Sequence, residues 1–241
     1  MDLTFLGRGS AFNPKEGNTS AYFIDNNELF LIDCGESVFS KLITNNILNN
    51  ISKINLMITH THSDHIGSIG SLIMYSYYKL NSKVNIILPR TNNYAFSIAS
   101  IINNFGCNND MYNFVLDFEY DDNYSSFKKI RFKKTEHDDK LECFSILIYT
   151  KCGIVFYSGD TKEIDTLMSI INSTLKIDKI YIDTTSENYP GNVHLNIDII
   201  NENIKDKLKD KVYCMHVNND DCIKLIKKYG FKVVKKMDLN I

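Results

Sequence analysis

Short apolar runs recur along the chain, and most of them carry strand signals. "LTFLG" (3–7), "SAYFID" (20–25) and "ELFLID" (28–33) are apolar or alternating, and Asn26-Asn27 separates the last two as a hairpin turn would. "INLMIT" (54–59), "KVNIIL" (83–88), "FKKIRF" (127–132), "CFSILIY" (143–149), "GIVFYSGD" (153–160), "KIYID" (179–183), "KVYCMH" (211–216) and "FKVV" (231–234) extend the series. Helical patterns fall between them, at 36–49, 66–80, 94–105, 162–172, from about 196, and at 221–229. Strand-rich stretches with helices between them predict sheets covered by helices, an α/β arrangement.

Polar clusters follow several of these strands. His60, His62, Asp64 and His65 come directly after "NLMIT", so half of the chain's six histidines fall within six positions. Asp160 follows "GIVFYSG" and His216 follows "KVYCM". Ligand groups at strand ends share one sheet edge, where α/β folds gather their sites. His60 and His62 are two apart, so on extended backbone they face one side. Asp64 and His65 open a helix and face elsewhere. One loop can therefore serve two metal ions, with Asp160 as a shared carboxylate and His137 and His216 completing the two sets. Imidazole and carboxylate suit zinc.

Composition narrows the class. With 241 residues the chain fits one α/β domain spanning 1–241, and its 44% apolar and 23% charged residues are ordinary for a globular protein. A formal charge of −2 provides no global field for nucleic acid or anionic membrane. The opening "MDLTFLGRGSAF" lacks the basic segment and long apolar run of a signal peptide, and no stretch approaches a membrane span. A cytoplasmic location with no membrane contact is expected. The six cysteines, at 34, 107, 143, 152, 214 and 222, form no CxxC pair and read as free thiols. Tyr75, Tyr77 and Tyr78, with Met74 and Leu80, read as core or as a subunit interface, so a homodimer is among the expectations. Arg8 and Lys15 sit in a loop that can face the site and contact phosphate.

The motif HxHxDH after a buried strand resembles the metallo-β-lactamase superfamily. The supporting motifs stand in the same order: "LIDCG" with Asp33, His137, "SGDT" with Asp160, and His216 at a strand end. The resemblance implies a four-layer αβ/βα sandwich, two mixed β-sheets flanked by helices. It implies one metal site of His60, His62, His137 and Asp160, and a second of Asp64, His65, Asp160 and His216. Asp33 would order the ligand loops, although a turn or N-cap carboxylate reads equally well from the residue alone. The opening "LTFLGRGSAFNPKEGNTSAYFI" and "HSDHIGSIGSLI" are similar to the ribonuclease Z-like phosphodiesterase branch. In "ENYPGNVHLNI", Glu187 and His194 resemble that branch's acid–histidine pair near the scissile phosphate. The branch's tRNA-gripping arm has no counterpart, because residues 138–159 are filled by two strand patterns.

The expected function is therefore a dinuclear-metal hydrolase, a phosphodiesterase acting on a nucleotide or short nucleic-acid phosphodiester through a metal-bridged hydroxide. Asp64, His194 and Glu187 are its candidate catalytic residues. Two Zn2+ ions are the expected cofactors, with Mn2+ or Fe as alternatives. Two other readings stand beside it. One is a thioester hydrolase of the glyoxalase II kind, for which residues 217–241 leave little room for the usual helical region. The other is a non-catalytic, metal-stabilised nucleotide-binding module. β-Lactam hydrolysis ranks below these, since the bridging position holds Asp rather than Cys.

Overall fold

The computed structural model describes residues 1–120 and 125–237. Its first sheet runs in the order β1 (Thr4–Gly7), β2 (Ser20–Asp25), β3 (Glu28–Ile32), β4 (Lys53–Met57), β5 (Val84–Leu88), β6 (Tyr112–Leu116). β1 to β3 pair antiparallel, and β3 to β6 pair parallel. The second sheet holds β7 (Phe118–Glu119), β8 (Phe127–Thr135), β9 (Cys143–Thr150), β10 (Ile154–Tyr157), β11 (Ile177–Asp183), β12 (Val212–Met215) and β13 (Lys232–Val233), adjacent in sequence order. β7 to β10 pair antiparallel and β10 to β13 parallel, so both sheets are mixed. The helices are α1 (Val38–Thr44), α2 (Ser63–Ile66), α3 (Ile69–Lys79), α4 (Asn92–Asn104), α5 (Asp165–Ile171), α6 (Ile197–Asn203), α7 (Asp206–Lys209) and α8 (Asp220–Lys228).

Strand periodicity explains the layers. In β3, Leu29 and Leu31 join a core shared with α1, α3 and α4, while Phe30 and Ile32 join a core between the two sheets. β10 behaves likewise: Val155 and Tyr157 face the other sheet, and Ile154 and Phe156 pack with α5, α6 and α8. Strands buried on both faces read as continuous apolar runs, which is why these segments stood out in the sequence. The result is the expected four-layer sandwich, two mixed sheets flanked by helices. Met74, Tyr75, Tyr77 and Leu80 pack against the α1–α3–α4 core, whereas Tyr78 is exposed. No helix among the described residues is long and apolar enough to cross a membrane.

Local details differ from the expectations. Asn26 and Asn27 both adopt left-handed backbone (φ 50° and 59°), as a tight hairpin needs. The helix expected over 66–80 is α3, starting at Ile69, and α2 is a separate short helix before it. Ser68 marks the break between them, its N–H donating to the Cys34 carbonyl and its hydroxyl to the Gly35 carbonyl. Helix α1 is shorter than the expected 36–49, ending where Asn46 turns left-handed (φ 55°). The strands β6 and β7 had no recognised signal.

The inter-sheet core is anchored by aromatic rings. Phe30 is fully buried, stacks on Phe23 at 4.9 Å, and meets Phe127 of the other sheet edge-on at 4.9 Å. Phe30→Ala should lower the unfolding free energy by about 3–5 kcal/mol, measured as a fall in denaturant midpoint at unchanged m-value.

Candidate active site

β4, β8, β10, β11 and β12 all end at one edge of the sandwich, and each delivers polar groups there. His60 follows β4 and His62 is the N-cap of α2, with extended backbone (φ −65°, ψ 153°). Two residues after it, Asp64 lies in the first turn of α2, next to His65. His137 follows β8, Asp160 follows β10 and His216 follows β12. Backbone strain is concentrated here. Asp33 and His216 are both left-handed, with φ 61° and 58°, which costs of order 1–3 kcal/mol each for residues with a Cβ. Gly159, at φ 61°, turns the chain before Asp160, and a Cβ there would press on the Phe144 carbonyl oxygen at 2.7 Å.

The seven expected ligands converge in two groups. In the first, Nδ1 of His62 lies 2.9 Å from His60 Nε2 and 3.2 Å from His137 Nε2. His137 Nδ1 donates to the Val193 carbonyl at 2.7 Å, so in the neutral ring Nε2 carries a lone pair. Burial depresses the pKa of both His60 and His137, most strongly for His60, which favours neutral rings. Nitrogen lone pairs facing one another fit a cation rather than each other.

The second group comprises Asp64, His65, Asp160 and His216, all buried. His65 Nδ1 donates to Asp33 Oδ2 at 2.9 Å, which directs Nε2 at Asp64 Oδ2 (3.4 Å) and Asp160 Oδ2 (3.3 Å). His216 Nε2 stands 3.3 Å from each of the same two carboxylate oxygens. His65 Nε2 and Asp160 Oδ1 are buried and lack a hydrogen-bond partner. Burial works against charge on His216, yet Asp160, with Asp183 and Asp64, pushes its pKa up to about 10. For His65 burial is likewise overcome, first by Asp160 and then by Asp33, and its pKa rises well above the usual value. These carboxylates demand positive charge, which protons or divalent ions can supply. The chemistry of both donor sets fits divalent metal.

Asp33 ties the end of β3 to the segment that carries Thr59 and His65. It is fully buried at the end of β3, and it accepts from Thr59 N and Thr59 Oγ1, both at 2.8 Å, as well as from His65.

The expected Glu187–His194 pair does not form. Glu187 is exposed, and its backbone carbonyl takes the Asn192 and Asn196 side-chain amides. Asp183 takes its place: His194 Nδ1 donates to Asp183 Oδ2 at 2.8 Å. That oxygen also accepts from Thr161 N at 3.0 Å, and Asp183 Oδ1 lies 3.4 Å from His216 Nδ1. One buried carboxylate thus hydrogen-bonds His194 and stands beside His216, and the two rings stack at 4.7 Å. Burial disfavours charge on both partners, yet their attraction lowers the Asp183 pKa and raises that of His194. Asp183 had a sequence signal that went unused: "KIYID" ends an apolar strand in Asp, as "GIVFYSGD" does. Arg8 and Lys15, expected to face the site and contact phosphate, are engaged with other groups of the chain. Arg8 meets Glu16 at 2.7 Å and the Val234 carbonyl at 2.8 Å, and Lys15 meets Asp220 at 2.9 Å.

Fold and site together define the class, a metallo-β-lactamase-fold protein of the ribonuclease Z-like kind. YhfI from Bacillus subtilis, a metallo-β-lactamase fold protein, superposes with a TM-score of 0.74 over 98% of this chain and 97% of its own, at 17% identity. The chain belongs to the Anti-Pycsar protein Apyc1 family, whose profile matches residues 1–238. The Anti-Pycsar protein Apyc1 of Bacillus phage 010DV004 is 39% identical over 94 residues, which are 38% of this chain and 36% of that protein. The matched stretch thus spans about a third of the length of that relative. Ribonuclease Z of Prochlorococcus marinus (strain MIT 9515) is 30% identical over 177 residues, 72% of this chain and 54% of that enzyme.

Asp33→Asn keeps the shape but weakens the hold on His65 and Thr59. Metal affinity, measured by competition with a chromogenic chelator, should fall by about 10–100-fold.

Proposed function

We propose that this chain is a phosphodiesterase that uses two divalent metal ions, with Zn2+ as the ions of choice, to hydrolyse a small nucleotide phosphodiester. One observation carries the reading. Asp160 Oδ2 lies 3.3 Å from His65 Nε2 and His216 Nε2, 3.8 Å from His60 Nε2 and His137 Nε2, and 3.9 Å from His194 Nδ1. A single carboxylate oxygen at the seam of two donor sets suits a bridging ligand. His60, His62, His137 and Asp160 would hold one ion, and Asp64, His65, Asp160 and His216 the other. Bound there, such ions supply Lewis-acid charge beside a phosphoryl group and make hydrolysis accessible near neutral pH.

The chain's own groups position the rest. Val193 fixes the His137 ring, Asp33 fixes His65, and Asp183 fixes His194 and backs His216. With Nδ1 held by Asp183, His194 is left to act through Nε2, and a quarter of its side chain is exposed (24%). We assign His194 as the general acid that protonates the leaving oxygen, with Asp183 as its positioning residue. Asp64 serves as a metal ligand. Size favours a small substrate: β9 and β10 occupy the span between His137 and Asp160, where a gripping arm for long RNA would project. A cyclic nucleotide is the smallest substrate with an internal phosphodiester, and membership in a family named Anti-Pycsar agrees with that choice.

Leaving-group chemistry tests the acid. A cyclic nucleotide expels a sugar alkoxide that needs a proton, whereas bis-p-nitrophenyl phosphate expels a stable phenolate. His194→Ala and Asp183→Asn should cut kcat on a cyclic nucleotide by roughly 10²–10⁴ and affect the nitrophenyl ester far less. Equal losses on both substrates would remove the acid role. Glu187→Ala should leave both rates unchanged.

Metal and substrate class are tested together. Elemental analysis of Asp160→Ala should show reduced metal, and chelated wild type should lose turnover that Zn2+ or Mn2+ restores. Hydrolysis of S-lactoylglutathione in preference to every phosphodiester would establish the thioester reading instead. No turnover by fully metallated protein would leave the binding-module reading.

A further inference from the structure

A cavity of about 340 Å³ lies between the 14–17 loop, the start of α1 and the segment at Lys236. Lys15, Lys41, Lys236, Ser37 and Ser40 line it, and among the described residues no carboxylate does. Charge around it is out of balance. Arg8 and Lys236 both reach the Glu16 carboxylate, at 2.7 Å and 3.1 Å, and Glu16 is only 4% exposed. Lys41 looks to the same carboxylate, and burial followed by repulsion from Lys236 lowers its pKa. Three cations thus share one anion, while Lys15 already has Asp220 at 2.9 Å.

The backbone makes room for this arrangement. Gly17 is left-handed (φ 68°), and a Cβ there would collide with Lys41 Nζ. The two ammoniums are also anchored, Lys41 Nζ donating to the Leu6 carbonyl and Lys236 Nζ to the Lys15 carbonyl, each at 2.8 Å. Ser37 Oγ accepts from Asn18 N at 3.0 Å, which leaves its own proton free to donate. Among the described residues the cavity therefore presents fixed donors, and Arg8 behind it with Lys41 and Lys236 in its wall outnumber the Glu16 carboxylate by two charges.

We propose that this cavity is a second anion site, built for a phosphate group and separate from the His/Asp centre. A phosphate carries about −1.5 to −2 charge near pH 7 and several acceptor oxygens, which matches both the surplus and the donor count. A carboxylate would answer only half of the surplus. None of the lining residues belongs to the metal-ligand sets, so the site does not rest on the chemistry proposed for them. It lies on the flank of that centre all the same: Asn18 Oδ1 accepts from Ser37 N at 2.7 Å, and Gly35 packs against the Asp64 backbone.

Amide NMR of the zinc-loaded protein at constant ionic strength locates binding directly. Inorganic phosphate should shift the Gly17, Ser37 and Ser40 amides saturably. Lys41→Gln should weaken that binding by roughly tenfold or more, the weight of one charge-assisted hydrogen bond. Ser40→Glu, at an exposed position, should do the same by placing a carboxylate in the cavity. A nucleoside 5′-monophosphate binding these amides more tightly than phosphate marks a nucleotide site, and equal affinity marks a site for phosphate alone. Shifts that never saturate, that chloride reproduces, or that persist undiminished in both variants would overturn the proposal.

Discussion

A buried carboxylate, Asp160, sits among five histidine nitrogens at the edge where the two sheets meet, and much of the structure serves to keep it there. It is 3% exposed, and one of its oxygens has no hydrogen-bond partner. Burying unpaired charge is expensive, so the surrounding elements must either supply cations or lose stability. Their solution is a set of histidines, three of them oriented by an acceptor: Asp33 for His65, Val193 for His137, and Asp183 for His194. For His65 and His137 the support takes Nδ1 and leaves Nε2 facing inward. Ligand identity alone would not achieve this.

The sandwich makes such a cluster affordable. Apolar burial on both faces of β3, β4, β10, β11 and β12 provides a rigid base, and the parallel pairing of β10 to β12 brings their ends to one edge. The strained backbone at Asp33 and His216 is tolerated because strands tightly held on both faces over-determine it. Stability from the aromatic inter-sheet core thus offsets local cost at the site.

Charge is handled differently on the flank of the centre. At the His/Asp cluster carboxylates outnumber what the protein's own fixed cations can neutralise. Around Glu16 the imbalance has the opposite sign, with lysines in excess. Asn18 and Gly35 stand between the two regions, Asn18 accepting from Ser37 beside the cavity and Gly35 packing on the Asp64 backbone.

The sequence alone determined the layers and which His and Asp side chains cluster at the sheet edge. Continuous apolar runs announce strands buried on both sides, and HxHxDH after such a run places four polar groups at one strand end whatever the rest of the chain does. Both are properties of local spacing. The partner of His194 was decided only by tertiary structure. Glu187 is nearer in sequence, yet it faces solvent, while Asp183 reaches the ring because β11 pairs in register between β10 and β12. The edge strand β6 and the break at Ser68 were equally illegible, the first because its exposed residues blur the apolar pattern, the second because the bonds at the break run to Cys34 and Gly35. Contacts between distant segments leave no periodic trace in a single chain, so pairing of this kind is settled when the sheets assemble.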